Sequence, residues 1–172
     1  METQLISSTT VIETTITARK VMLSFFFDSR GPLLIEFLHQ GSTINSAQYC
    51  STLMKLRQAI KKRLGLLTQE VILLHNNARP HISNTGNPED LKHIPLGSFV
   101  APPYSLDMSP CDFHVFGPFK RALQGKRFHS DDGVKEAMQD VLRNHPQSFY
   151  SKGIELLLQR WDLCFNDHRD FF

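Results

Sequence analysis

Cysteine is scarce: Cys50, Cys111 and Cys164 are the only three in 172 residues, and none falls in a C-x-x-C spacing. An odd, scattered set argues against a disulfide framework and against a thiolate zinc knuckle. No N-x-[ST] sequon occurs. Long apolar runs are missing as well; the longest, around Phe25 and Leu33, are far too short to span a bilayer, and the Thr- and Ser-rich start has no signal-peptide core. Charge of one sign is not in excess either. The net charge is +2 and charged residues make up 21%, an ordinary globular value that speaks against wholesale disorder. These absences lead to the expectation of a soluble, reduced, intracellular chain. What is present is 41% hydrophobic content, enough for one well-buried core, with two domains a tight fit.

Residues 1–19 show no clear period and no glycine or proline punctuation, and are expected to be a poorly determined leader. From Val21 to Phe27 a nearly continuous apolar and aromatic run predicts a strand covered on both faces. Asp28-Ser29-Arg30-Gly31 is a turn signal, and Leu33–Leu38 predicts the returning strand of a hairpin. Asn45 is a candidate N-cap for a helix whose Tyr49, Leu53, Leu56, Ile60 and Leu64 recur at helical spacing. Val71–His75 is a compact buried strand. Gly86, Pro88 and Pro95 interrupt the following crossover, and Phe99-Val100 is expected as a short edge strand. Ser109-Pro110 opens a helix, with a disturbance expected at Gly117-Pro118. Another helix starts near Ser130 and stops at His145-Pro146, and a last one carries Phe149, Tyr150, Ile154, Leu157, Leu158, Trp161 and Cys164. Strands separated by helices imply an α/β domain with a partly parallel sheet.

Three polar positions each close or open an apolar element. Asp28 ends the first strand, Asn76 follows the Val71–His75 strand, and Asp112 stands at a helix start. With the two strands side by side, Asp28 and position 76 would emerge near one another, and the helix bearing Asp112 would complete a site. Acids gathered in that way suit divalent cations, two of which about 4 Å apart can activate a phosphodiester and its attacking nucleophile. The local alternative for each is a turn-forming Asp at 28 and a helix-capping Asp at 112. Between Asn45 and Thr68 there is no acidic residue, while Lys55, Arg57, Lys61, Lys62 and Arg63 are basic. Such a run is most often a solvated helix face, the other reading being a phosphate-contacting surface. Lys120, Arg121, Lys126 and Arg127 form a second basic cluster. The scattered histidines form no H-x-x-x-H pair, so surface or core roles are the commoner reading for them.

Several of these segments carry a resemblance. Phe25 to Gly31 resembles the aromatic-aromatic-Asp-x-x-Gly segment of mariner-family transposases. His75-Asn76-Asn77-Ala78-Arg79-Pro80-His81 resembles that family's H-D-N-A-R-P-H, and Pro103 to Phe116 resembles P-Y-S-P-D-L-A-P-S-D-[YF]-H-L-F. Gly125-Lys126-Arg127-Phe128, Phe149-Tyr150, Gly153-Ile154, Arg160-Trp161 and Cys164 follow in the family's order, so the resemblance runs from about Val21 to Phe172. It implies a ribonuclease-H-like α/β fold, a mixed sheet flanked by helices, with residues 20–172 as the catalytic domain. It further implies DNA as partner, Mg²⁺ or Mn²⁺ as cofactor at Asp28, Asn76 and Asp112, and residence in the nucleus. DNA contacts are expected at Lys55, Lys61, Lys62, Arg63, Lys120, Arg121, Lys126 and Arg127. A homodimer is a possible partner state, and no membrane or small-molecule cofactor is expected.

The departures from the family pattern point toward decay or domestication. Asn76 stands where the family has its second acid, Leu106 replaces a proline, and the stretch from Asn76 to Asp112 is slightly longer. The family's helix-turn-helix half has no counterpart in this chain. An amide oxygen brings no charge to a hard cation, so metal affinity and strand cleavage are expected to be impaired. The alternative expectation is a non-enzymatic DNA-binding or dimerisation module.

Overall fold

The computed structural model describes residues 4–9, 21–38, 44–64, 71–75, 96–100, 108–128 and 130–167 of the chain. The hairpin is where the residue pattern places it. Strand β2 (Leu23–Asp28) is buried along its whole length and pairs antiparallel with β3 (Gly31–Phe37). The turn between them closes because Asp28 Oδ1 accepts the Arg30 backbone N–H at 2.8 Å, an Asx-type bond, and because Gly31 supplies a φ of +123°. The register slips at Phe26/Phe27, where Pro32 has no N–H to give to the ladder.

Helix α1 (Ser46–Leu64) starts where expected: the Asn45 side chain accepts the Gln48 N–H at 2.8 Å. Its Tyr49, Leu53, Leu56 and Ile60 are buried at three- and four-residue spacing, against Phe26 of β2 and against Val71 and Leu73 of β4 (Val71–His75). The sheet is completed by β5 (Leu96–Val100) and by a strand that the residue pattern did not reveal. Gln4–Thr9, expected to be part of a leader, forms β1 and lies in the middle of the order β3-β2-β1-β4-β5. Its mixture of hydroxyl and β-branched residues carries no period of its own. Pairing with β2 on one side and β4 on the other makes it a strand, and the domain therefore begins ahead of residue 20. β1 runs antiparallel to β2 and parallel to β4, and β4 runs parallel to β5, so the sheet is mixed. Phe99-Val100 belongs to an edge strand as expected, although a longer one.

Three helices cover the other face: α2 (Phe116–Leu123), α3 (Asp131–Asn144) and α4 (Gln147–Asp167). The Ser130 hydroxyl caps α3 by accepting the Gly133 N–H at 3.2 Å. Leu23, Phe25 and Phe27 project to this side, meeting Val115, Phe119, Leu123, Val134, Met138, Leu142 and Tyr150. The alternation of a strand thus divides β2 cleanly: odd positions face α2–α4 and Phe26 faces α1. The irregularity expected at Gly117-Pro118 lies one turn earlier. Cys111–Val115 is a π-helical turn, in which the Phe116 N–H reaches back to the Cys111 carbonyl. Pro118 has no N–H and crowds the carbonyl four residues before it, so widening the preceding turn relieves the helix. Among the described residues no helix is long and apolar enough to cross a membrane.

Candidate functional site

Asp112 lies in the first turn of that π-helical segment, just after Ser109-Pro110. Its carboxyl is half-buried, and burial raises its pKa above the usual carboxylate value. A hydrogen bond from the Ser109 side chain and the charge of Lys120 oppose the rise. The neighbouring Phe113 packs with Leu74, Leu157 and Trp161, and the Arg160 guanidinium stands 4.1 Å over its ring. Leu74 is two residues before Asn76, so the turn bearing Asp112 sits against the C-terminal part of β4. Asn76 itself lies outside the described residues.

His114 fixes this turn to α4. Its Nε2 is 2.7 Å from the Phe149 carbonyl oxygen, and its ring stacks on Phe149 with centroids 4.4 Å apart. The contact is possible because residue 153 is glycine: a Cβ there would lie 2.9 Å from His114 Cδ2. Gly153→Ala should therefore force the imidazole or α4 to move and lower stability by about 1–3 kcal/mol, readable as a shift of the denaturation midpoint. An unchanged midpoint would mean that the His114 contact does not hold the turn.

Asp28 has a different position from the one expected. β2 is not beside β4, since β1 lies between them. β2 also runs opposite to β4: through Ser7, Phe27 is level with Leu74, so Asp28 falls near the level of Leu73, midway along β4. The faces differ too. Asp28 belongs to the α1 side, where Oδ1 receives Arg63 Nη1 at 2.9 Å, whereas the turn carrying Asp112 packs on the opposite side through Cys111 and Val115. Asp28, expected as a metal ligand, is thus engaged by Arg63 on the face of the sheet away from the turn that carries Asp112. Its side chain is 1% exposed, and Arg63 also donates to the carbonyls of Gly31 (3.1 Å) and Pro32 (2.8 Å), tying the hairpin turn to the end of α1. Oδ2 is buried without a hydrogen-bond partner among the described residues. The strands flanking β4 are β1 (QLISST) and β5 (LGSFV), and neither contains an acid. No group of three or more His, Cys, Asp or Glu that could hold a metal ion occurs among the described residues.

The basic residues divide likewise. Lys55 is ion-paired with Glu36, whose other oxygen accepts the Thr52 hydroxyl at 2.7 Å, and Arg63 is committed to Asp28. Lys61, Lys62, Lys120, Arg121, Lys126 and Arg127 are exposed. Arg30 and Arg143, which drew no attention in the sequence because neither belongs to a basic run, line a cleft beside β3.

Residues 7–68 match the family described as Transposase (partial DDE domain). Over 156 residues the chain is 33% identical to the human histone-lysine N-methyltransferase SETMAR, which covers 90% of this chain and 23% of that protein. Over 149 residues it is 31% identical to the Mariner Mos1 transposase of Drosophila mauritiana, covering 85% of this chain and 43% of the relative. The Mos1 catalytic domain solved with raltegravir and Mg superposes at a TM-score of 0.84, with 26% identity, over 99% of this chain and 85% of that one. The chain belongs to the mariner transposases. It has the fold of their catalytic domain, including the ribonuclease-H-like mixed sheet flanked by helices. The mariner Mos1 paired end complex with Mg is also similar, at a TM-score of 0.79 and 26% identity over 99% of this chain and 56% of that one. This mariner domain thus spans less than half the length of either curated relative.

Proposed function

We propose that this mariner catalytic domain binds DNA, in the nucleus, through exposed basic side chains and is disabled for strand cleavage. Support for the DNA half comes from the likeness to the Mos1 paired end complex and from the exposed Lys61, Lys62, Lys120, Arg121, Lys126 and Arg127. Such side chains neutralise phosphates without reading sequence, so binding should weaken steeply with salt.

The disabled half rests on one observation above all: the buried Asp28 carboxylate is turned to Arg63 on the α1 face. The Mos1 catalytic domain was solved with Mg, and two-metal phosphodiester chemistry needs several carboxylates around the cations. Here the described residues do not fit that requirement. Among the described residues Asp112 is the one carboxylate on the turn that packs against the end of β4 through Phe113, the residue at 76 is an uncharged amide in the sequence, and the flanking strands bring no acid. What Asp112 retains is its place at a helix start beside Ser109 and Lys120.

The test uses labelled duplex DNA with the natural chain, Asn76→Asp and Asn76→Asp/Asp28→Ala, in Mg²⁺ and in Mn²⁺. All three are expected to bind and none to nick above background. Nicking by the natural chain would overturn the disabled half of the reading. Nicking by Asn76→Asp that disappears with Asp28→Ala, at an unchanged melting temperature, would return Asp28 to the metal site.

A further inference from the structure

Outside the edge strand β3 runs a cleft of about 400 Å³, at the rim of the sheet farthest from β4 and β5. Three arginines reach it from three different elements: Arg30 from the hairpin turn, Arg63 from the last turn of α1 and Arg143 from the last turn of α3. His145 lines it as well. Among the described residues no carboxylate does. Asp28 stands behind the wall and compensates Arg63 alone, whereas Arg30 and Arg143 have exposed side chains with no ion pair among the described residues. The cleft therefore carries about two uncompensated positive charges. A cationic residue in the last turn of a helix is often only a companion of the dipole. That reading covers Arg143 by itself but accounts neither for Arg30, which is on a turn, nor for the meeting of all three.

His145 completes the lining of the cleft. Its Nε2 is buried and has no hydrogen-bond partner among the described residues, while the ring is stacked on Phe149 with centroids 4.1 Å apart. Burial and the nearby His114 hold its pKa below the usual histidine value, which favours the uncharged ring. The two exposed guanidinium forks of Arg30 and Arg143 suit the oxygens of a phosphate group. A cleft open along a strand edge admits a chain passing through, not only a small enclosed ion.

We propose that this cleft binds a phosphate of a DNA backbone through Arg30 and Arg143, with Arg63 holding its wall and His145 in its lining. The site lies three strands from β4, roughly 14 Å across the sheet from the strand that leads to Asn76. The proposal rests on the DNA-binding reading above and adds a contact remote from Asp112.

The test compares the natural chain, Arg30→Gln/Arg143→Gln and Lys120→Gln/Arg121→Gln, using anisotropy of a labelled duplex over a series of salt concentrations. The His145 ring resonances are followed during titration with the same duplex and with inorganic phosphate. Both arginines are exposed, so the first variant should keep the natural melting temperature. Its salt slope should fall by up to about two, and the duplex-induced shift at His145 should vanish. The Lys120/Arg121 variant should keep that shift. Duplex binding with the same slope in Arg30→Gln/Arg143→Gln, or with no shift at His145, would overturn the site while leaving DNA binding intact. Failure of the natural chain to bind any duplex would sink the DNA-binding reading instead. In that case a His145 shift with inorganic phosphate alone would overturn the DNA source, and no shift with either probe would overturn the site altogether.

Discussion

Arg63→Gln is expected to destabilise the domain by about 3–5 kcal/mol, because it leaves the Asp28 carboxylate, 1% exposed, with a single backbone N–H as its partner. For a domain of this size the melting temperature should drop by roughly 10 °C. The loss combines a buried charge without its counter-ion and two hairpin carbonyls, those of Gly31 and Pro32, without their donor. Adding Asp28→Asn to Arg63→Gln should recover much of the loss, since the remaining amide carries no charge. Thermal melts of the two single variants and the double variant measure the coupling directly. The same melts separate the structural role of Asp28 from the metal-ligand role. A carboxylate serving cations would make Mn²⁺ raise the melting temperature of the natural chain and not of Asp28→Asn. An anchor makes both insensitive to the metal while Asp28→Asn alone melts lower. A stable Arg63→Gln variant would remove the anchor.

Tyr150→Ala should cost about 3–5 kcal/mol, the range for deleting a buried aromatic side chain. Tyr150 is fully buried where three elements meet. Its ring lies 5.3 Å from Phe27 and 6.5 Å from Phe25 by centroids, and its hydroxyl donates to the Leu142 carbonyl near the end of α3. Removing the whole ring opens a cavity between the sheet and both helices. Tyr150→Phe keeps the packing and gives up the one hydrogen bond, for about 1 kcal/mol. Urea denaturation of the pair should therefore show a large and a small shift in midpoint at the same slope. Equal shifts would mean that the hydroxyl, not the ring, holds the α3–α4 junction.

Much of the fold was legible because its signals are local. The hairpin follows from an apolar run, an Asp–x–x–Gly turn and a second apolar run. α1 follows from the phase of Tyr49, Leu53, Leu56 and Ile60, and the helix starts follow from Asn45 and Ser130, whose side chains cap the backbone within three residues. Asp112 was likewise placed at a helix start by Ser109-Pro110. Each of these depends on neighbours a few positions away, which one stretch of residues contains in full.

The middle strand and the meaning of Asp28 depend on partners elsewhere in the chain. Gln4–Thr9 has no pattern that separates it from a loop, and only the two ladders beside it make it a strand. The parity of β2 was readable from its residues, so Phe26 and Asp28 could be assigned to one face and Phe25 and Phe27 to the other. Which face α1 would cover, and which would receive the turn bearing Asp112, was not readable. That choice placed Arg63, thirty-five residues away, against Asp28 and carried the carboxylate away from Asp112. The cleft beside β3 arises in the same way, from side chains on a turn and two helix ends. The sequence by itself determined the elements, their caps and the amide at position 76. The tertiary structure decided which charges meet, because period and capping act along the chain while ion pairing and burial act across it.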